Sequence, residues 1–202
     1  MLCDPSDNVI EIKACCGVSG AIGQAVGADP GRHMKKVLVI GPGGAGKSTF
    51  AEQLAARTGL PLIHLDALYW RPGWEEMPKA EWASLIERVA GEPEWIMDGN
   101  YGGTLDQRLE ACDTAILLDT SPWRCVWRVV WRRVRHAGRS RPGLAAGCHE
   151  RLDGKFLWWI ATYRATRRPG ILARLEAMKR SGKTVAILRA PSQVQRFLSS
   201  AP

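Results

Sequence analysis

Lys47 and Ser48 close an eight-residue run, Gly41–Ser48, that reads GPGGAGKS. The spacing G-x-x-x-x-G-K-[ST] is that of a phosphate-binding loop. Gly41, Gly43, Gly44 and Gly46 let the backbone turn its N–H groups, with that of Ala45, toward phosphate oxygens. Thr49 and Ser48 open a strong helix-forming stretch, whose N-terminus adds a fixed partial positive charge. In this pattern the Lys47 ammonium reaches the β- and γ-phosphates of a nucleoside triphosphate, and the Ser48 hydroxyl ligates Mg²⁺.

Three carboxylates, Asp66, Asp98 and Asp119, each end an apolar run. A carboxylate beside such a loop serves as an outer Mg²⁺ ligand, as the base for an acceptor hydroxyl, or as a plain loop cap. Asp98 is assigned to Mg²⁺ and Asp66 to the acceptor. Arginines at 124, 128, 132, 133 and 135 recur at helical spacing, with Arg128, Arg132 and Arg135 on one face. Guanidinium forks suit a phosphoryl group whose charge spreads over three oxygens, so Arg128 and Arg132 join Lys47 and Asp66 as candidate catalytic residues.

The elements that must position these side chains alternate. Lys36–Ile40, Pro61–Leu65, Glu94–Asp98, Thr114–Asp119 and Thr184–Leu188 read as five short strands. Helical stretches lie between them, which predicts an α/β fold, a parallel sheet covered on both faces. Ligands of such sheets bind beyond the carboxyl ends of the strands, where the three aspartates fall. Ala67–Trp74 reads as an aromatic loop on which an acceptor stacks through Trp70 and Trp74. The helix after Pro122 is expected to bury Val126, Trp127, Val130, Trp131 and Val134, and Trp159 lies in a similar core stripe. Ser192 and Gln195 form a capping-box pattern for a last helix. His64 alternates with apolar neighbours and reads as a satisfied structural residue.

Composition narrows the classes. The chain has 202 residues, 46% of them hydrophobic, enough for one domain with a core. No apolar run reaches the roughly 18 residues that span a bilayer. The six cysteines form no C-x-x-C pair, so thiols in a cytoplasm are expected rather than zinc or disulfides. Residues 1–33 show no clean period and are expected to be a disordered extension. Met34 stands where a natural start would. Residues 124–180 hold 15 Lys and Arg against 3 Asp and Glu, whereas residues 1–123 hold 10 against 17. One anionic partner site follows, for nucleotide phosphates or nucleic acid. The motifs favour the former, with a nucleotide-gated nucleic-acid regulator as the alternative. N-K-x-D is absent, which argues against a guanine-specific switch.

In order, GPGGAGKST, LDALYWRPGW (65–74), WIMDGNY (95–101) and AILLDTSPWRCVWRVVWRR (115–133) resemble the adenylate kinase-like P-loop proteins often named DNA topology modulation protein. The resemblance covers about residues 35–198. It implies a three-layer P-loop fold with a five-stranded parallel sheet in the order 2-3-1-4-5. It also implies a short Arg-rich lid at about residues 137–150, within a domain spanning 34–202. Asp98-Gly99 matches the group's strand Asp-Gly pair. Asp119, with Arg128 and Arg132 nine and thirteen residues later, matches its strand-end Asp and phosphate-binding arginines. The group's AMP-site arginines have no match: Asn100, Tyr101 and Gly102 follow Asp98-Gly99, and Trp159 stands four residues before Tyr163. Arg71, Arg108, Arg164 and Arg167 are the candidates to compensate. The implied function is a monomeric kinase using ATP and Mg²⁺ on a small phosphoryl acceptor, without a membrane.

Overall fold

The computed structural model describes residues 34–135 and 154–201. The expected extension 1–33, the segment 137–150 and Cys3, Cys15, Cys16 and Cys148 lie outside the described residues. Five strands form one parallel sheet: β1 (Lys36–Ile40), β2 (Leu62–His64), β3 (Trp95–Asp98), β4 (Thr114–Leu118) and β5 (Thr184–Leu188). They lie side by side as β2-β3-β1-β4-β5. The central strand β1 is solidly apolar because both faces are covered: Val37, Leu38, Val39 and Ile40 are wholly buried.

Right-handed crossovers set the layers. The step from β1 out to β2 runs one way along the sheet, and all later steps run the other way. Accordingly α1 (Lys47–Thr58) packs with the last helix, α8 (Pro191–Ser200). The opposite face holds α3 (Lys79–Gly91), α4 (Leu105–Ala111), α6 (Gly154–Thr166) and α7 (Arg168–Arg180). α5 (Pro122–Arg135) packs on α6. Among the described residues no helix is long and apolar enough to cross a membrane.

Three local expectations are corrected. The second strand ends at His64, and the chain turns at once into a short helix, α2 (Leu65–Tyr69). A two-residue hairpin follows, Trp70–Arg71 against Glu75–Glu76. The expected aromatic loop is therefore ordered, because its rings are core. Tyr69, Trp70 and Trp82 are 3–5% exposed, and Tyr69 meets Trp70, Trp82 and Tyr101 at ring-centroid distances of 4.8–5.1 Å.

The apolar stripe of α5 is largely turned outward. Cys125 and Val129 face inward and Val126 packs half-buried against the core, whereas Trp127, Val130, Trp131 and Val134 are exposed. The cause is the close approach of α5 to Gly44: a Cβ there would meet the Cys125 carbonyl oxygen at 2.5 Å and Val129 Cγ2 at 3.0 Å. Only slim side chains fit such a contact, so the indoles turn outward. Trp159, by contrast, is buried as expected.

At α8 the N-cap is Ala190 rather than Ser192. Pro191 takes the first helical position, and Gln193 Oε1 accepts the Ala190 and Arg189 N–H groups at 3.1 and 2.6 Å. Proline's fixed φ draws the helix start forward by two residues.

Candidate functional site

β1 delivers the 41–48 loop to the carboxyl edge of the sheet, and the loop feeds α1 at Lys47. Gly44 (φ 78°) and Gly46 (φ 90°) sit in the left-handed region that side chains rarely adopt. Gly41 lies against the end of β4, where a Cβ would meet the Leu118 carbonyl oxygen at 2.6 Å. Gly43 is covered by Phe156 and Ile160 of α6. The Ala45 N–H donates to the Pro42 carbonyl at 3.2 Å, closing a tight turn. Gly46, the α1 N-cap, has no side chain to cap the helix. Helix-start N–H groups lacking a side-chain cap present a positive dipole end to an incoming anion. Ser48 is half-buried and Thr49 exposed in this first turn.

Two cations rest on the loop's own carbonyls. Lys47 is 3% exposed, and its Nζ folds back to donate to the Pro42 carbonyl at 2.6 Å. Arg128 Nη1 reaches from α5 to the Ala45 carbonyl at 3.3 Å. Arg132 follows one turn later, half-buried. Thus the structure brings Lys47 and Arg128 together on one loop, although 81 positions separate them.

Asp98 ends β3 opposite Val39 of β1, one strand from the start of the loop. It is wholly buried. His64 stands opposite it on β2, and His64 Nδ1 lies 2.6 Å from Asp98 Oδ2, the ring donating to the carboxylate. Among the described residues no group of three or more His, Cys, Asp or Glu side chains is arranged to hold a metal ion.

Asp66 sits in α2 rather than at a strand end, also wholly buried. Its Oδ1 accepts the Tyr101 hydroxyl at 3.1 Å. Burial, reinforced by Asp66, holds the Tyr101 phenol well above its ordinary pKa, so it stays a neutral donor. Tyr101 also has φ 38°, a left-handed conformation costly for a side-chain residue.

Asp119 follows β4 and is clamped. Arg168 binds it with two bonds of 2.9 Å, and Arg189 Nε adds a third at 3.2 Å. The hydrogen bond to Asp119 raises the Arg168 pKa further. Asp119 therefore ties β4 to α7 and to the turn after β5.

Two residues outside the phosphate-binding pattern build the loop's support. The Asn100 amide brackets Gly41: Oδ1 accepts the Gly41 N–H at 3.1 Å, and Nδ2 donates to the Gly41 carbonyl at 2.8 Å. Arg108 is wholly buried and donates to the carbonyls of Gly99, Asn100, Tyr101 and Thr104. A guanidinium spent on four carbonyls is no substitute for a missing acceptor-site arginine. Arg71 is likewise engaged, with Glu81 at 2.9 Å. Trp70, 3% exposed, offers no face for an acceptor. The only local signal for Asn100 was its place directly after Asp98-Gly99; Arg108 was expected at an acceptor site rather than here, and Arg168 and Arg189 carried no signal.

No protein-family model matches the chain, and no curated protein matches it.

Proposed function

We propose that the chain is an ATP- and Mg²⁺-dependent phosphotransferase of the nucleoside monophosphate kinase-like kind. In this reading it acts as a monomer in the cytoplasm and carries the γ-phosphoryl group of ATP to a small acceptor. The observation that carries the proposal is the pair of cations, Lys47 and Arg128, parked on carbonyls of a glycine-built loop at an uncapped helix start. A neutral carbonyl offers a cation no opposite charge, whereas a phosphate oxygen adds ion-pair attraction to the same hydrogen bond. Incoming phosphates would displace both contacts without reorganising the backbone. The motif order shared with adenylate kinase-like P-loop proteins supports the same reading.

The residues divide the work as follows. The backbone of Gly41, Gly43, Gly44, Ala45, Gly46, Lys47, Ser48 and Thr49 holds the β- and γ-phosphates. Lys47, Arg128 and Arg132 offset the charge on the transferring group, which gains an acceptor oxygen as the bridge to the β-phosphate breaks and ADP departs. Ser48, with Asp98 through water, suits Mg²⁺, which keeps several waters and needs few protein ligands. When bound, that ion neutralises charge on the phosphate oxygens. Of the two roles expected for Asp66, orienting or deprotonating the acceptor, its burial behind Tyr101 favours the first.

The test is an acceptor screen. Purified full-length protein with Mg-ATP is offered nucleoside monophosphates, nucleosides and small hydroxy acids, with ADP release as the readout. At least one acceptor is expected to stimulate release, and Lys47→Ala to reduce it by about 10²–10³-fold. Absence of Mg-ATP binding, or full turnover by Lys47→Ala, would sink the proposal.

A further inference from the structure

The outer face of α5 has no role in the nucleotide reading and stands independently of it. At 100° per residue, Trp123, Trp127, Val130, Trp131 and Val134 fall within an arc of about 100°. Their exposures run from 39% at Val130 to 79% at Trp123. This is a convex apolar ridge, three indoles long, on a helix whose opposite side is anchored by Cys125 and Val129 at 0–1% exposure. Arg124, Arg128, Arg132 and Arg135 fill the arc along one flank, and Arg133 lies on the other. Ser121–Arg135 contains no Asp or Glu. Exposed apolar surface rimmed by charge of one sign marks an interaction site, and the sign requires an anionic occupant.

We propose that this ridge docks the protein on the surface of an anionic phospholipid bilayer. Indoles settle at the level of the headgroups, and the exposed Arg124 and Arg135, which the nucleotide reading leaves unused, reach the lipid phosphates. Because α5 is already folded and anchored, docking carries no helix-forming cost. Two features favour a bilayer over single-stranded nucleic acid. Val130 and Val134 interleave the indoles, and aliphatic groups gain from acyl chains but offer bases no stacking face. Trp127 and Trp131 are parallel within 2° with centroids 6.0 Å apart. That gap is less than the two layers of about 3.4 Å that an inserted base requires.

The experiment is vesicle flotation of the full-length protein, with indole emission recorded alongside. Phosphatidylcholine vesicles with about one third phosphatidylglycerol are compared with pure phosphatidylcholine. Expected are binding at least about tenfold tighter to the anionic vesicles, a blue-shifted emission, and quenching by brominated acyl chains. Trp127→Ser/Trp131→Ser should weaken binding by about tenfold or more. Arg124→Glu/Arg135→Glu should weaken it and flatten its dependence on salt. Both double variants alter exposed positions and should melt as the wild type does. Failure to bind anionic vesicles, or unchanged binding by both variants, overturns the proposal. So does capture of a single-stranded oligonucleotide in place of vesicles, or a dimer that the tryptophan variant dissolves.

Discussion

The side-chain amide of Asn100 grips both backbone polar groups of Gly41, accepting the N–H at 3.1 Å and donating to the carbonyl at 2.8 Å. Gly41 is the hinge between the central strand and the loop, and both residues are buried. Since β3 and β1 are neighbours in the sheet, the amide ties the end of one strand to the loop on the other. Arg108 in turn holds the carbonyl of Asn100.

Asn100→Ala is expected to strand two buried backbone groups. Each costs about 1–3 kcal/mol when left without a partner. Urea unfolding should show a loss of about 2 kcal/mol or more, and Mg-ATP affinity should fall as the loop loosens. Asn100→Asp keeps the acceptor but sets a carboxylate against the Gly41 carbonyl, so it should not rescue. Wild-type stability in Asn100→Ala would refute the bracing role.

Gly44→Ala should fail for two separable reasons. Its φ of 78° disfavours any side chain, and the new Cβ would meet the Cys125 carbonyl oxygen at 2.5 Å. That neighbour is backbone and cannot swing away. Gly59→Ala is the control, since Gly59 has a similar φ of 72° with nothing within 4 Å of a Cβ. Thermal melts should place Gly44→Ala well below Gly59→Ala, which isolates the steric part. Equal melts would remove it.

Asp119→Ala leaves Arg168 and Arg189 facing each other with no carboxylate between them. Breaking a buried pair by removing one member costs about 3–5 kcal/mol, and the partial exposure of both arginines moves this toward the lower end. Arg168→Ala should cost less, because Arg189 still neutralises Asp119. Chemical denaturation of the two variants, in that order of severity, checks the arrangement.

Burial pushes the Cys112 thiol up to about 12 and the Cys125 thiol up to about 11. Both should resist alkylation in the folded protein near neutral pH, with mass mapping to identify the modified sites. The linkage has a definite sign. A folded-state pKa above the unfolded value gives stability that is whole below the unfolded thiol pKa of about 8.5. That stability is lost as pH climbs through 11–12. Cys112→Ala/Cys125→Ala should therefore show a shallower alkaline loss of stability than the wild type. Parallel pH profiles would contradict it.

Much of the fold was legible because its signals are local. Val37–Ile40 is apolar on every residue, as a strand buried on both faces must be, and Gly46, Gly59 and Gly182 punctuate turns by their left-handed φ values. The loop at 41–48 could be marked by spacing alone. The outward stripe of α5 could not. Its periodicity carries two apolar lines, Cys125 with Val129 and the tryptophans, and only the approach of Gly44 selects the slimmer one. Likewise Trp70 looks available as a platform in the sequence, but it is 3% exposed and packs edge-on against Tyr69 and Trp74.

By itself, then, the sequence determined the alternation of strands and helices, the glycine loop, and the identity of the charged groups near it. Those follow from residue type at fixed short spacing, which backbone geometry reads directly. Tertiary structure alone decided the partners. Asp119 belongs to Arg168 and Arg189, 49 and 70 positions away. Asp66 belongs to Tyr101, and Gly41 to Asn100, 59 positions on. Burial forces every polar group to find a partner, but which partner depends on strand order and helix placement, and neither is encoded in any short stretch of chain.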